Sequence, residues 1–289
     1  MKRSQFLKVA GAAAAGLYFS GDLFAAGNTQ NLALQLYSVR DAVAKDLEGT
    51  LERLVKLGYN KLEIYGDNGK FFGHTAAEFK AILKRTGVEV VSSHHISGIS
   101  MKSPGTLSEG WSQTVEDLKT VGAKYAACSF LFPAERTPDI YKTLPDLLNK
   151  SGETARAAGL RFGYHNHDFE FEPYGDTLVY DHILTSTDPK LVFMELDLYW
   201  IVKAGKDPVA YFNKYPGRFP LWHVKDMDAA TGDITEVGNG KVDFKAIFAE
   251  RKKAGLEQWF VEQDVSKGDM FESLKKSHDY IVSQKFPAR

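Results

Sequence analysis

Two histidines, His165 and His167, close an apolar run in the stretch "GYHNHDFEF". Residues two apart in a strand share a face, so both imidazoles point the same way. Such a pair can be a hydrogen-bonded structural group or a pair of metal ligands, since histidine serves in both roles. The rest of the chain repeats the layout. Gln35 and Tyr37, with Arg40 just beyond, close one apolar run; Glu63 and Tyr65 close the next, and His94 and His95 a third. Glu195 and Asp197, then His223 with Lys225 and Asp226, then Glu262 with Asp264 close three more. Ser129 and Phe130 end a run with little chemistry. Singly, each has a bland account: Glu195 as partner of a deeper basic group, Lys225 with Asp226 as a rim ion pair. Together they bring carboxylates and imidazoles to the same end of four consecutive runs, where each is costly to bury without a partner. One divalent cation meets the need of all of them. Carboxylate oxygen with neutral imidazole nitrogen suits Mn, Zn, Fe, Co or Mg.

The elements that must position these groups follow a repeated phrase: amphipathic helix, glycine, short apolar strand. It appears in "VKLGYNKLEIYG", "LKRTGVEVVSSHH", "LKTVGAKYAACSF", "ARAAGLRFGYHNH", "FNKYPGRFPLWHV" and "RKKAGLEQWFVEQ". The glycines at 58, 87, 122, 159, 217 and 255 stand where a helix ends in a left-handed residue. Each following run is almost continuously apolar, which marks strands covered on both faces in a parallel sheet. With "LALQLYS" at the start and "LVFMELDLYW" after Pro189 the count reaches eight. Thr75 to Glu78 reads as a capping box, Asp207-Pro208 as an N-cap before a first-turn proline, and Asp243 as the cap of a helix to Ala254. An open nucleotide-binding sheet would carry a glycine-rich turn after its first strand, and "LYSVRD" has none. The expected fold is therefore an α/β protein, a single (β/α)8 TIM barrel over residues 27–289 with its chemistry at the C-terminal strand ends.

Residues 1–26 differ. Lys2, Arg3 and Lys8 precede an Ala/Gly-rich apolar stretch and small residues around "FAAGN", the layout of a secretory signal peptide. "RSQFLK" resembles a twin-arginine export motif with Ser4 in place of the second arginine. The stretch is short for a membrane span, and an uncleaved apolar anchor is the competing reading. Export, to a periplasm-like compartment, is the expectation, with no stable membrane insertion once the leader is gone. Without these residues 33 basic and 36 acidic groups remain, a net charge of −3. That balance argues against nucleic acid as partner, which demands clustered positive charge. The single Cys128 excludes an intramolecular disulfide, a cysteine-based zinc site and a lipid-anchored leader. A homo-oligomer is compatible with the sequence.

The motifs "LQLYSVRD", "GYHNHDFEF", "ELDLYWIVKAGKDP", "HVKDMD" and "FVEQD" resemble the sugar phosphate isomerase/epimerase family of xylose isomerase-like barrels. The resemblance implies a divalent metal held by Glu, Asp, His and Glu from strands five to eight. Asp197, His223 and Glu262 match the last three positions, while the strand-five position falls on His165. Many members carry histidine three residues after the strand-six aspartate, where this chain has Trp200. Family epimerases commonly move protons with the two glutamates, a scheme that the histidine at 165 breaks. The His-rich strand-five motif is similar to inosose dehydratase-like members, and the same chemistry suits lyases acting on 3-keto-glycosides. Glu170 is a weaker replacement for the missing carboxylate because of its odd offset from His165.

The resemblance therefore implies a metal-dependent sugar isomerase or epimerase working by proton abstraction beside a carbonyl of a keto- or aldo-sugar. The alternatives are a lyase or dehydratase expelling water or an aglycone from a 3-keto-sugar or 3-keto-glycoside, and a sugar-binding barrel without catalysis. A metal-dependent nuclease on the same architecture is disfavoured by charge. His165, Asp197, His223 and Glu262 are the expected metal ligands; His167, Glu262 and Lys225 are the catalytic candidates. Gln35, Tyr37, Arg40, Glu63, His94, His95 and Trp200 are expected to bind substrate. Tyr199 and Trp222 are further candidates for stacking on a sugar face, with barrel packing as the alternative.

Overall fold

The glycines that end the helices release the chain into strands covered on both sides. In the computed structural model, which describes residues 31–66 and 69–287, eight such strands close on themselves. They are β1 (Leu32–Gln35), β2 (Tyr59–Tyr65), β3 (Glu89–Ile96), β4 (Tyr125–Phe130), β5 (Arg161–His165), β6 (Val192–Asp197), β7 (Leu221–Val224) and β8 (Gln258–Val261). Each is parallel to its neighbours, in sequence order around the ring, and β8 closes on β1 through Leu34 and Val261. Every residue of β1, β6, β7 and β8 is buried, as strands walled by helices outside and side chains inside require. Ala33, Val91, Phe193, Leu221 and Phe260 fill the lower barrel interior as an apolar layer. A larger cluster packs the strands' outer faces against the helices. The expectation of one closed α/β barrel is met.

Local signals hold in most places. All six helix-ending glycines have φ between 73° and 96°, a region that costs a side chain strain. Thr75 and Glu78 form the reciprocal capping box that opens Ala76–Thr86. Asp207 accepts from Val209 N ahead of Pro208–Lys214, and Asp243 accepts from Ala246 N. The helix after Asp243 is broken, running Phe244–Ala249 and then Arg251–Ala254. Three strand ends also differ from expectation. β1 stops at Gln35 and turns into the 3-10 segment Leu36–Val39, so Tyr37 stands on a turn. β5 stops at His165, which leaves His167 in the following loop. β6 passes directly into helix Leu198–Lys203, with the Asp197 side chain as its N-cap. No helix among the described residues is long and apolar enough to cross a membrane. The signal-peptide reading of residues 1–26 lies outside the described residues.

Candidate active site

Parallel pairing brings the polar strand ends side by side: Gln35 opposite Glu63, His165 opposite Glu195, Asp197 opposite His223. His223 is the centre. Its Nδ1 lies 2.7 Å from Glu262 Oε2 and its Nε2 2.6 Å from Glu63 Oε2. His94 stacks on it, ring centres 5.1 Å apart, and reaches Glu195 Oε2 at 2.6 Å and Glu63 Oε2 at 3.0 Å. His165 Nδ1 is 3.3 Å from the same Glu195 oxygen, and His165 Nε2 is 4.0 Å from Asp197 Oδ2. All these side chains are buried.

Burial and charge compete here. Burial disfavours the imidazolium of His94, yet Glu63 and Glu195 outweigh it and raise its pKa to about 9. His223 is raised well above the ordinary histidine value by Glu195, Glu262 and Glu63, again against burial. Glu195 is pushed up to about 7 by burial and by the neighbouring Glu63 charge. Even so, Glu63 Oε1 and Glu195 Oε1 have no hydrogen-bond partner, and Asp197 Oδ2 and His165 Nδ1 have only ion-pair neighbours, Lys225 Nζ at 3.2 Å and Glu195 Oε2 at 3.3 Å. Orphaned acceptors packed this closely in low dielectric are what a bound cation would satisfy. Two groups of side chains bring potential ligand atoms within 4.8 Å of one another: His94, His165, Glu195 and His223, and separately Asp197, His223 and Glu262. The nitrogen and oxygen donors fit a divalent metal. The expected quartet is thus divided. Asp197, His223 and Glu262 stand together, while His165 belongs with Glu195 and with His94, expected instead at the substrate.

Above this floor opens a cavity of about 850 Å³ at the C-terminal face of the barrel. Lys225 stands at the junction, its Nζ 2.7 Å from Glu262, 3.1 Å from Asp264 and 3.2 Å from Asp197. Burial opposes its charge, but the three carboxylates hold its pKa well above the ordinary lysine value. Asp264 is raised to about 6 because burial outweighs the attraction of Lys225. His167 lines the cavity with its Nδ1 unpartnered, and burial with the facing Lys225 lowers its pKa to about 3. Its ring sits 5.2 Å from Trp200 and 4.9 Å from Phe130.

Of the residues expected to bind substrate, Tyr37, Arg40, His94, His95 and Trp200 line the cavity. Gln35 and Glu63 do not. Gln35 is fully buried and donates to Glu63, so both belong to the layer beneath. His95 is committed elsewhere: its ring nitrogens bond Ser93 Oγ and the Gly105 carbonyl, and its ring packs on Trp111. Trp222 is stacked on Phe212 in the helix layer, and Tyr199 OH donates to the Gly232 carbonyl; neither lines the cavity. Glu170 is no substitute ligand, since it accepts from Tyr164 OH and His167 N behind the barrel wall. Glu195, Asp264 and Arg136 also stand at the candidate site, outside the ligand, catalytic and substrate-binding groups expected from sequence. The first two carried a signal, as acidic groups at strand ends, whereas Arg136 comes from a loop with no pattern.

Among solved structures, the chain is similar to a sugar phosphate isomerase/epimerase from Parabacteroides distasonis ATCC 8503, with 29% identity and a TM-score of 0.79. That likeness covers 92% of this chain and 97% of the other. The fold also resembles that of the IOLI protein with a binding zinc atom, at 15% identity and a TM-score of 0.68, over 90% of this chain and all of that one. Among curated proteins, an inosose dehydratase from Lacticaseibacillus casei is 29% identical over 165 residues, 50% of this chain and 55% of that protein. The chain thus spans about half the length of the first curated relatives it matches. Another inosose dehydratase, from Lactiplantibacillus plantarum, is 26% identical over 277 residues, 83% of this chain and 90% of that protein. The family model described as Xylose isomerase-like TIM barrel matches residues 51–279. With that match over most of its length, the chain belongs to the xylose isomerase-like TIM barrel family.

Proposed function

We propose that this protein is a divalent-metal-dependent lyase that expels water or an alkoxy group from the carbon two bonds away from a ring ketone, on a cyclitol- or 3-keto-sugar-like substrate. The observation that carries the proposal is the convergence of two histidine–carboxylate groups on His223 directly beneath the cavity. Isomerisation or epimerisation, the first expectation from sequence, gives way to elimination on two grounds. The strand-five glutamate of the two-glutamate scheme is replaced by His165, and the curated relatives are inosose dehydratases. A divalent ion held by Asp197, His223 and Glu262, or by the His94–His165–Glu195–His223 group, would polarise the ketone oxygen.

The chain's own groups account for the proton traffic. His167 lines the cavity, and its ring is the group placed to take the proton beside the carbonyl; burial makes it a weak base, so the step relies on a ketone made more acidic by its surroundings. Lys225, kept charged by three carboxylates, orients substrate oxygens and favours negative charge developing on them. Asp264, with a pKa near 6 at the cavity wall, can return a proton to the departing oxygen. We read residues 1–26 as an export signal, which would place the substrate outside the cytoplasm.

Proton NMR in heavy water with inosose and 3-keto-glucosides tests the reading. Elimination should yield enone signals and free water or alcohol, stop with chelator, and return with Mn, Co or Zn. Conversion of the substrate to an epimer or aldose with no bond cleavage would overturn it.

A further inference from the structure

Resting on that reading, we infer that the outer half of the cavity is a binding site for an aromatic ring attached through oxygen to the reacting sugar. The substrate is then an aryl 3-keto-glycoside, in preference to a free keto-sugar or cyclitol.

The cavity has two zones of opposite character. Its floor is polar, with the candidate metal ligands His165 and Glu262 beside the Lys225 ammonium. From His167 outward the wall turns aromatic. Phe130 packs edge-on against His167 at 4.9 Å, against Phe132 at 5.4 Å and against Phe169 at 5.9 Å. Across the mouth, Tyr37 and Tyr65 form a second edge-to-face pair at 5.6 Å. The whole space, about 850 Å³, lies in the upper part of the range of roughly 300–1,000 Å³ that holds drug-sized ligands. A single sugar ring resting on the floor leaves the outer zone unfilled.

The phenylalanine side of the wall favours an aryl group over a second sugar. A second sugar would bring hydroxyls that need partners. On the Phe130 side the wall offers few, Asp168 and Arg136 among them, while the Tyr37 and Tyr65 hydroxyls and Arg40 stand elsewhere on the cavity lining. Phe130, Phe132 and Phe169 have none, Ser129 Oγ already donates to the His95 carbonyl, and Thr106 Oγ1 donates to the Ser103 carbonyl. Two cations lie on ring faces of the cavity lining: Arg136, with Nε on the Leu131 carbonyl, has its guanidinium over Phe169 at 3.5 Å, and Arg40 lies over Tyr37 at 4.4 Å. A stacked guanidinium beside edge-on rings favours an electron-rich aromatic ligand. Met101 and Val265, 51% and 55% exposed at the rim, would be covered by such a group.

The reaction balances without a further reactant. The base removes the proton beside the ketone, and that carbon's electron pair forms the new C=C bond. The C–O bond to the aryloxy group breaks with its pair on oxygen, the oxygen takes one proton, and an enone and a phenol leave. A phenol departs more readily than water or a simple alcohol.

The test separates this subsite from the chemistry. Calorimetry of the metal-loaded protein with phenyl and methyl β-glucosides and β-galactosides, which lack the ketone and cannot react, should show at least one phenyl compound bound about tenfold or more tighter than its methyl counterpart. In Phe132→Ala and Phe169→Ala, checked for folding by circular dichroism, that ratio should fall towards one. If no phenyl glycoside exceeds its methyl counterpart at millimolar concentration, or if cellobiose binds more tightly than phenyl glucoside, the inference is wrong. Equal rates of elimination from methyl and phenyl 3-keto-glucosides would also overturn it while sparing the lyase reading. Phenyl preference without any elimination would keep the subsite and remove the lyase.

Discussion

His223 is the side chain on which the site depends, because both of its ring nitrogens face carboxylates and both candidate ligand groups include it. His223→Ala and Glu262→Gln should each lower bound metal and elimination together. The loss should exceed the roughly 10–100-fold that removal of an outer partner costs. Metal analysis of folded variants checks this; full metal content in both would refute the assignment. Glu170 makes a different point. Burial raises its pKa to about 7, so between about pH 4.5 and 7 the folded state holds a proton that the unfolded chain has released. The stabilisation is complete below the unfolded pKa and disappears as pH rises through 7. Relative to Glu170→Gln, which cannot ionise, the native protein should lose on the order of 1–3 kcal/mol between pH 5 and 8. Urea unfolding at several pH values measures it, and parallel pH curves for the two proteins would count against a buried, neutral Glu170.

At the scale of elements, a pairing irregularity decides which histidine of β3 enters the site. Pairing advances one residue along β2, Leu62 to Glu63, while β3 advances two, Val90 to Ser92. A bulge of this kind re-aims the side chains that follow it. Val91 packs inside the barrel, and strict alternation from there would send His95 inward. With the extra residue His94 points to Glu195 and Glu63, and His95 turns to Trp111. On β5, Gly163 has a steric reason. A Cβ there would fall 2.3 Å from Phe193 of the neighbouring strand. Gly163→Ala should therefore destabilise the fold by about 1–3 kcal/mol and displace His165, two residues on. Denaturant titration with metal analysis tests both effects, and a variant of native stability would show that Phe193 yields freely.

For the whole molecule, the barrel concentrates buried charge at one end. Glu63, Glu195, Asp197 and Glu262 face His94, His223 and Lys225 at the C-terminal ends of the strands, over an apolar interior layer. A ligand that binds only the folded state stabilises it by mass action. Metal at about 100 times its dissociation constant should raise the melting temperature by roughly 5–10 °C, and chelator should reverse the rise. Identical melting curves with chelator and with Mn, Co or Zn would argue that the cluster is held by its own hydrogen bonds alone.

By itself the sequence determined the barrel and the rim at which its polar strand ends gather. Continuous apolar runs, helix-ending glycines and polar strand ends are local patterns, and they fix which residues lie on strands and near which rim. That His165, Asp197, His223, Glu262 and Lys225 stand near one another at one rim was legible for that reason. Tertiary structure decided what depends on distance across the ring. It divided the candidate ligands into two groups around His223, sent Gln35 and Glu63 below the cavity, turned His95 and Trp222 into packing, and brought Arg136 from a loop to the wall. Side-chain parity is written in the chain only until a bulge shifts it. Contacts between strands far apart in sequence follow from how the sheet closes, which no local spacing records.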